Sequence, residues 1–310
     1  MPMSLDAGSG YMTPPAGMTR RKLANRTRVS ESIPRRLVRE GKFHLLPVYA
    51  LLRMSDLARE GIENSGSFRF ADHIYRGEPS GRYGIGVLLD SVVLRLRGAR
   101  SMRSRFFHSQ AEVMAALTKQ YAAAREHTVV SVPSGICRDL YHVADSLLSD
   151  EPDIYARTRF VAIDLDPAPL ELSRALTRDH PNFSFVEADA LQAGALPRDV
   201  DVIVSLGFGE FLPNETLRGF YATCHASLRP GGVFITSAMS RDRISDYLAR
   251  ELAELHTHYR SADDIRALLR SAGFEWARTK RDEVGLQTLA VAGKDSGAGP
   301  ASRTSDGSHT

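Results

Sequence analysis

From His127 onward, short runs of β-branched and other apolar residues alternate with amphipathic stretches of helical period. Thr128–Val132, Arg159–Ile163, Phe183–Glu187, Val200–Ser205 and Val233–Ser237 predict five strands. Ile136–Leu148 predicts a helix, because Leu140, Val143, Ala144, Leu147 and Leu148 fall on one face. Asp166-Pro167 supplies an N-cap and a first-turn proline for a helix running to about Thr177. Asn214 is expected to cap a helix whose Leu217, Phe220, Tyr221, Cys224 and Leu228 share a face. Arg229-Pro-Gly-Gly232 predicts a turn, and Ser261-Ala-Asp-Asp264 a capping box for a helix ending near Gly273. Phe274–Arg278 and Gln287–Ala292 follow with no helix between them and predict an antiparallel hairpin at one edge. Strands alternating with helices imply an α/β fold, a parallel sheet covered on both faces.

Upstream the period is mostly helical. Apolar-periodic stretches run from Ile33-Pro34 through Leu37 and from Leu45 to Leu57. Gln110 to Arg125 carries Val113, Met114, Leu117 and Tyr121 on one helical face. Tyr83 to Gly98 is apolar enough to be buried but fits helix or strand. A loop is expected over IYRGEPSGRYGIG, where Gly77, Pro79, Gly81, Gly84 and Gly86 recur. The chain thus divides into a tail (1–28), a helical cap (29–125), an α/β domain (126–294) and a second tail (295–310), both tails small and polar enough to be disordered.

Composition removes several function classes. No apolar run approaches the roughly 18 residues of a membrane-spanning helix, and the N-terminus has no block of signal-peptide kind, so a cytoplasmic protein with no membrane partner is expected. Cys137 and Cys224 stand in no CxxC or Cys/His array, which argues against a disulfide scaffold or a metal centre. Charge is asymmetric: residues 1–110 hold 19 Lys and Arg against nine Asp and Glu, although the whole chain is only +3. Arginine outnumbers lysine 35 to 5, as the codon bias of a high-GC bacterial genome produces. The basic half reads as a solvated helical surface or as a lure for an anionic ligand. No nucleic-acid-binding signature accompanies it, and nucleic acid is not an expected partner.

In open parallel sheets ligands bind beyond the carboxyl ends of the strands. After the first strand, Gly135 permits close backbone approach, and the helix start at Ile136–Arg138 offers free N–H groups. After the second, Asp164 can accept both hydroxyls of a ribose, and after the third, Asp189 can accept from an adenine amino group.

These segments resemble class I S-adenosylmethionine-dependent methyltransferases over about 127–294. The resemblance is carried by VVSVPSGIC, AIDLDPAPLELSRAL, FSFVEADAL, DVDVIVSLGFGEFL, SLRPGGVFITS and the AGF helix end with its strand hairpin. It implies a Rossmann-like seven-stranded sheet with the last strand antiparallel, and S-adenosylmethionine over the first four strand ends. Gly135 would lie beside the methionine part, Asp164 would hold the ribose and Asp189 the adenine, with Leu165, Ala190 and Ser205 beside the cofactor. The first turn departs from the family pattern of an acid followed by Gly-x-Gly-x-Gly, reading Ser131, Pro133, Gly135 and Cys137.

Acceptor chemistry must come from segments above the sheet. Glu210, in the loop after the fourth strand, and His256 and His258, between the fifth strand and the last helix, are the candidate bases. Helices ahead of the first strand would form a lid, from which Arg103 or Arg105 could pair with the cofactor carboxylate; Tyr75, Arg76, Arg82 and Tyr83 belong to the same region. The expected activity is methylation of a small molecule in biosynthesis, as a monomer or homodimer. The alternatives are an enzyme using the same cofactor to transfer or cyclise its aminocarboxypropyl arm, and a basic module binding nucleic acid or protein. No NPPY-type sequence follows the fourth strand, where the chain reads SLGF.

Overall fold

A computed structural model describes residues 32–64, 66–80, 83–120 and 125–295. The expected tail 1–28, all of the expected tail 295–310 beyond Asp295, and Gly81, Arg82, Tyr121 and the side chain of Tyr83 lie outside the described residues. Six helices come first: α1 (Ile33–Arg39), α2 (Leu45–Leu52), α3 (Asp56–Glu63), α4 (Phe68–Arg76), α5 (Tyr83–Arg95) and α6 (Arg97–Gln120). The α/β part then runs β1 (His127–Ser131), α7 (Arg138–Asp150), α8 (Pro152–Ala156), β2 (Thr158–Asp164), α9 (Pro167–Leu176), β3 (Phe183–Glu187), β4 (Val200–Ser205), α10 (Asn214–Ser227), β5 (Leu228–Met239), α11 (Arg243–Ala253), α12 (Ala262–Ser271), β6 (Trp276–Arg281) and β7 (Gln287–Gly293).

The seven strands lie in the order β3-β2-β1-β4-β5-β7-β6. All neighbours pair in parallel except β5 with β7 and β7 with β6. The hairpin is therefore inserted with its second strand inward, which leaves the charged β6 (WARTKR) at the edge, where arginine and lysine discourage further pairing. Every residue of β4 is buried, as a central parallel strand requires.

Strand alternation sends successive residues to opposite faces. Val130, Val161, Ile203 and Phe234 pack with Phe220, Tyr221, Ile265 and Leu269 of α10 and α12. Val129, Phe160, Val202 and Ile235 pack with Leu140, Val143 and Leu147 of α7 and with Val113 and Leu117 of α6. Helix α6 therefore belongs to both layers: its start lies among the cap helices and its end fills the sheet core.

Several boundaries differ from the sequence reading. The stretch Leu45–Leu57 is two helices, because the Ser55 hydroxyl accepts from Ala58 N–H and caps a new start. Tyr83–Arg95 is helical and takes in Gly84 and Gly86, and the preceding helix is capped by Gly77, left-handed at φ +67°. Helix α7 begins at Arg138 rather than Ile136. Arg229–Gly232 lies within β5, where Gly231 N–H and Lys294 N–H bond to the Lys294 and Gly232 carbonyls and absorb the irregularity. Pro213, not Asn214, occupies the cap position of α10, and the Asn214 amide oxygen accepts from Arg260 instead. No described helix is long and apolar enough to cross a membrane.

Candidate active site

Four adjacent strand ends build one rim. Asp164, the last residue of β2, holds it together: Oδ2 accepts from Gly135 N–H at 2.8 Å and Oδ1 from Asp166 N–H at 2.9 Å. Its carbonyl accepts from Ala188 N–H at 3.0 Å, so β1, β2 and β3 are tied at one residue. Burial pushes its carboxyl above the ordinary range, against the pull of the Asp166 and Gly135 N–H bonds. A carboxylate has about four acceptor positions, and the N–H groups of Gly135, Asp166 and Leu165 do not fill them, so a ligand's hydroxyl can still be accepted.

Gly135 adopts φ +51°, and a Cβ there would come within 3.4 Å of Phe68 Cβ in α4. The Phe68 side chain of the cap thus stands at ordinary contact distance from the turn after β1, and it is the left-handed backbone that favours glycine here. The turn is pinned on both sides, Val132 N–H to Val204 O at 2.9 Å and Ser134 N–H to Ile163 O at 2.8 Å. The Val132–Pro133 peptide is cis. Cys137 N–H, expected to face a ligand, donates to Ser173 Oγ of α9 at 3.1 Å. Burial raises the Cys137 thiol to about 12 and Cys224 well above its usual value, so neither supplies a thiolate at neutral pH.

Asp189 follows β3, where its Oδ1 accepts from Leu191 N–H at 3.0 Å; Ala190 beside it is buried in the sheet core, and Leu165 is half-buried beside Asp164. Ser205 ends β4, buried, with no hydrogen-bond partner for its Oγ among the described residues. The chemistry at this rim is a carboxylate with spare acceptor positions, a glycine cradle and an orphaned hydroxyl. That set suits a neutral polyol joined to a cation, as in an adenosyl sulfonium.

A second cluster lies beyond β4 and β5. Arg105 of α6, only 4% exposed, reaches Glu210 Oε1 at 3.0 Å through Nη1 and the Tyr75 hydroxyl at 2.8 Å through Nη2. Glu210 Oε1 also accepts from Gln287 Nε2 at 3.1 Å, and no hydrogen bond to Oε2 is present among the described residues. Arg260 holds the short 3-10 turn Phe208–Phe211 that presents Glu210, donating to the carbonyls of Gly209 and Leu212, each at 2.6 Å, and to Asn214 Oδ1. His258 N–H donates to the Glu210 carbonyl at 2.8 Å, and burial with Arg260 nearby lowers the affinity of its ring for a proton. His256 is exposed and apart from this network. Arg103 turns into the cap and donates to the Leu94 carbonyl at 2.6 Å.

Four participants escape sequence reasoning. Asp139, in the first turn of α7, bonds the Ser131 hydroxyl, and burial raises its carboxyl to about 6. An acid thus stands beside the strand end where Ser131 replaces the family's own. Gln287 and Ser237 reach the Glu210 cluster only because β7 pairs with β5. Asp72 of α4 binds Arg138 Nε at 2.6 Å and closes the cap over the turn. A first-turn acid eight residues after Ser131 is the one signal the sequence carried for any of them.

The profile of a family described as "Putative methyltransferase" matches residues 49–294, taking in most of the cap. Uncharacterized protein YnbC of Escherichia coli (strain K12) is 26% identical over 231 residues, 71% of this chain and 39% of its own length. A "Probable S-adenosylmethionine-dependent methyltransferase" of Mycolicibacterium smegmatis is 30% identical over 117 residues, 38% of this chain and 44% of its own. The chain therefore matches less than half the length of these relatives. Among solved structures, a "possible exported protein" from Bordetella parapertussis superposes with TM-score 0.67 at 19% identity, over 79% of this chain and 85% of that one. The citrinin polyketide synthase CMeT domain does so with TM-score 0.50 at 14% identity, over 83% and 68%. By the profile match over most of its length and by its strand order, the chain belongs to this methyltransferase family and has the class I fold.

Proposed function

We propose that this protein binds S-adenosylmethionine along the rim of β1 to β4 and transfers its methyl group to a small molecule. The observation that carries the reading is Asp164, whose carboxylate is fixed by Gly135 and Asp166 with acceptor positions to spare. Asp164 would hold the ribose hydroxyls, Asp189 the adenine amino group, and Gly135, Ser131, Pro133 and Ser205 would line the methionine side. When bound, the sulfonium supplies an electrophilic methyl group to an acceptor placed in line with it.

The residues of this chain then have three tasks. The cap, held by Arg138–Asp72, excludes water from the turn after β1. Arg105 and Gln287 fix one oxygen of Glu210, and the other oxygen is left to take the acceptor's proton. Arg260 keeps the supporting turn rigid. The basic charge of the cap supports a structural use rather than a nucleic-acid surface, since Arg36, Arg53, Arg59, Arg76, Arg97 and Arg105 each pair with a carboxylate. The family membership of the chain supports the cofactor, and a cytoplasmic, biosynthetic role completes the reading.

Calorimetry with S-adenosylmethionine tests it. Micromolar binding by the wild type is expected, weakened about a hundredfold or more in Asp164→Ala and about tenfold in Asp189→Ala. No uptake, or uptake unchanged in both variants, would overturn it. Pro133 and Cys137 at glycine positions of the turn favour a second reading, transfer of the aminocarboxypropyl arm. Release of methylthioadenosine instead of S-adenosylhomocysteine would establish that one.

A further inference from the structure

Among the described residues, nothing packs on one apolar face of helix α5. Ile85, Leu88, Val92 and Leu96 recur at intervals of three, four and four along α5 and the residue after it, and are 57%, 63%, 48% and 54% exposed. Such a spacing lines one side of a helix over roughly 16 Å. The opposite side is committed to the cap: Leu94 is buried with Leu57, Ile74 and Ala99. Asp90, the sole acid of α5, is turned inward too, accepting from the Ser55 hydroxyl, Leu57 N–H and Ser80 N–H. Scattered exposed apolar residues are ordinary; four on one helical face are an interaction surface.

The charges at the end of this stripe are mainly positive, with Asp242 beside Arg97 and Glu283 in the same hollow as Arg100. Arg95, Arg97 and Arg100 are exposed, and among the described residues neither Arg95 nor Arg100 has a carboxylate partner. Arg97 alone shares one, Asp242, at 3.3 Å. A second copy of the chain docked through this face would bring like charges together. A nucleic acid would satisfy the arginines and leave the aliphatic side chains in water. An anionic bilayer surface satisfies both, taking the aliphatic stripe into its acyl boundary while its headgroups neutralise the arginines.

We infer that α5 and the start of α6 form a peripheral docking surface for membranes rich in anionic lipid. The helix would lie in the interface plane. This needs no run long enough to span, and the sequence has none. The inference is independent of the reaction at the sheet rim.

Vesicle flotation of the full chain tests it, with phosphatidylcholine alone and with phosphatidylglycerol added. Anionic vesicles are expected to bind at least about tenfold more protein, with the excess lost at high salt. Leu88→Ser with Val92→Ser should reduce binding to the phosphatidylcholine level without changing the circular dichroism spectrum, because both side chains are exposed. Should that pair misfold, Arg95→Gln with Arg100→Gln probes the same surface, and loss of the anionic preference is expected. Absence of vesicle binding, or binding unchanged in these variants, would overturn the inference. So would a solution dimer that the serine pair splits, which would give the face to a second copy, or preferential retention on RNA.

Discussion

Arg105 and Glu210 meet at 3.0 Å, Nη1 to Oε1, with both side chains almost wholly removed from solvent. The pair joins a helix of the cap to the turn after β4, a span of 105 residues in sequence. Burial opposes the charge of Arg105, while Tyr75 and Glu210 restore it and carry its proton affinity above the ordinary value.

Removing one member of a buried pair leaves the other uncompensated, at a typical cost of about 3–5 kcal/mol. Arg105→Met is expected to destabilise the fold by about 3 kcal/mol. Glu210→Gln should cost less, because an amide oxygen still accepts from Arg105. A double-mutant cycle in urea is expected to return a coupling above about 1 kcal/mol. Coupling near zero would mean the pair does not fasten the cap. If Glu210 takes the acceptor's proton, Glu210→Gln should also lower kcat about a hundredfold while leaving cofactor affinity within about twofold.

Asp139 makes stability depend on pH. Burial lifts its carboxyl from 3.8 to about 6, against the Leu140 N–H and Ser131 hydroxyl bonds that favour the charged form. The folded state therefore binds this proton more tightly than the unfolded chain. Its contribution is most favourable below about pH 4, declines as pH rises to about 6, and is level above. Asp139→Asn keeps an acceptor for Leu140 and removes the charge, so it should flatten that slope and stabilise the protein at pH 7 by about 1–2 kcal/mol. The measurement is the difference in urea midpoint between wild type and variant from pH 4 to 8, since Asp164, also raised by burial, slopes the same way in both. An unchanged slope in the variant would remove Asp139 as its source.

Arg138 and Asp72 clamp α4 onto the start of α7 at 2.6 Å. Both are partly exposed, so the pair is worth about 1 kcal/mol rather than a full buried pair. Asp72→Asn should raise amide exchange in residues 68–76 about fivefold and leave exchange in β4 unchanged. Equal protection in variant and wild type would show that packing of Ile74 and the Tyr75–Arg105 bond hold the helix without the ion pair.

The layers of this fold were legible because periodicity reports burial directly. Val200–Ser205 is apolar because it is covered on both faces, and Ser261 with Asp264 forms both capping-box bonds that its spacing predicts. Asp164 was legible as well: a strand ending in a carboxylate just before a capped helix already states where that carboxylate must stand. Gly84 and Gly86 misled because a glycine inside a helix looks locally like a loop.

The local pattern of side chains was thus enough to settle the strands, most helices, and the rim where β1, β2, β3 and β4 end, because each depends on neighbours within one turn or one strand. The partners of Glu210 could not be read that way. Arg105 is 105 residues distant and Gln287 is 77, and only the insertion of β7 beside β5 and the passage of α6 across the sheet bring them to one oxygen. Asp139 likewise became an acid of altered strength only once α7 was packed against β1. Periodicity records which side of an element is buried, whereas proximity between elements arises from the order in which the chain stacks them.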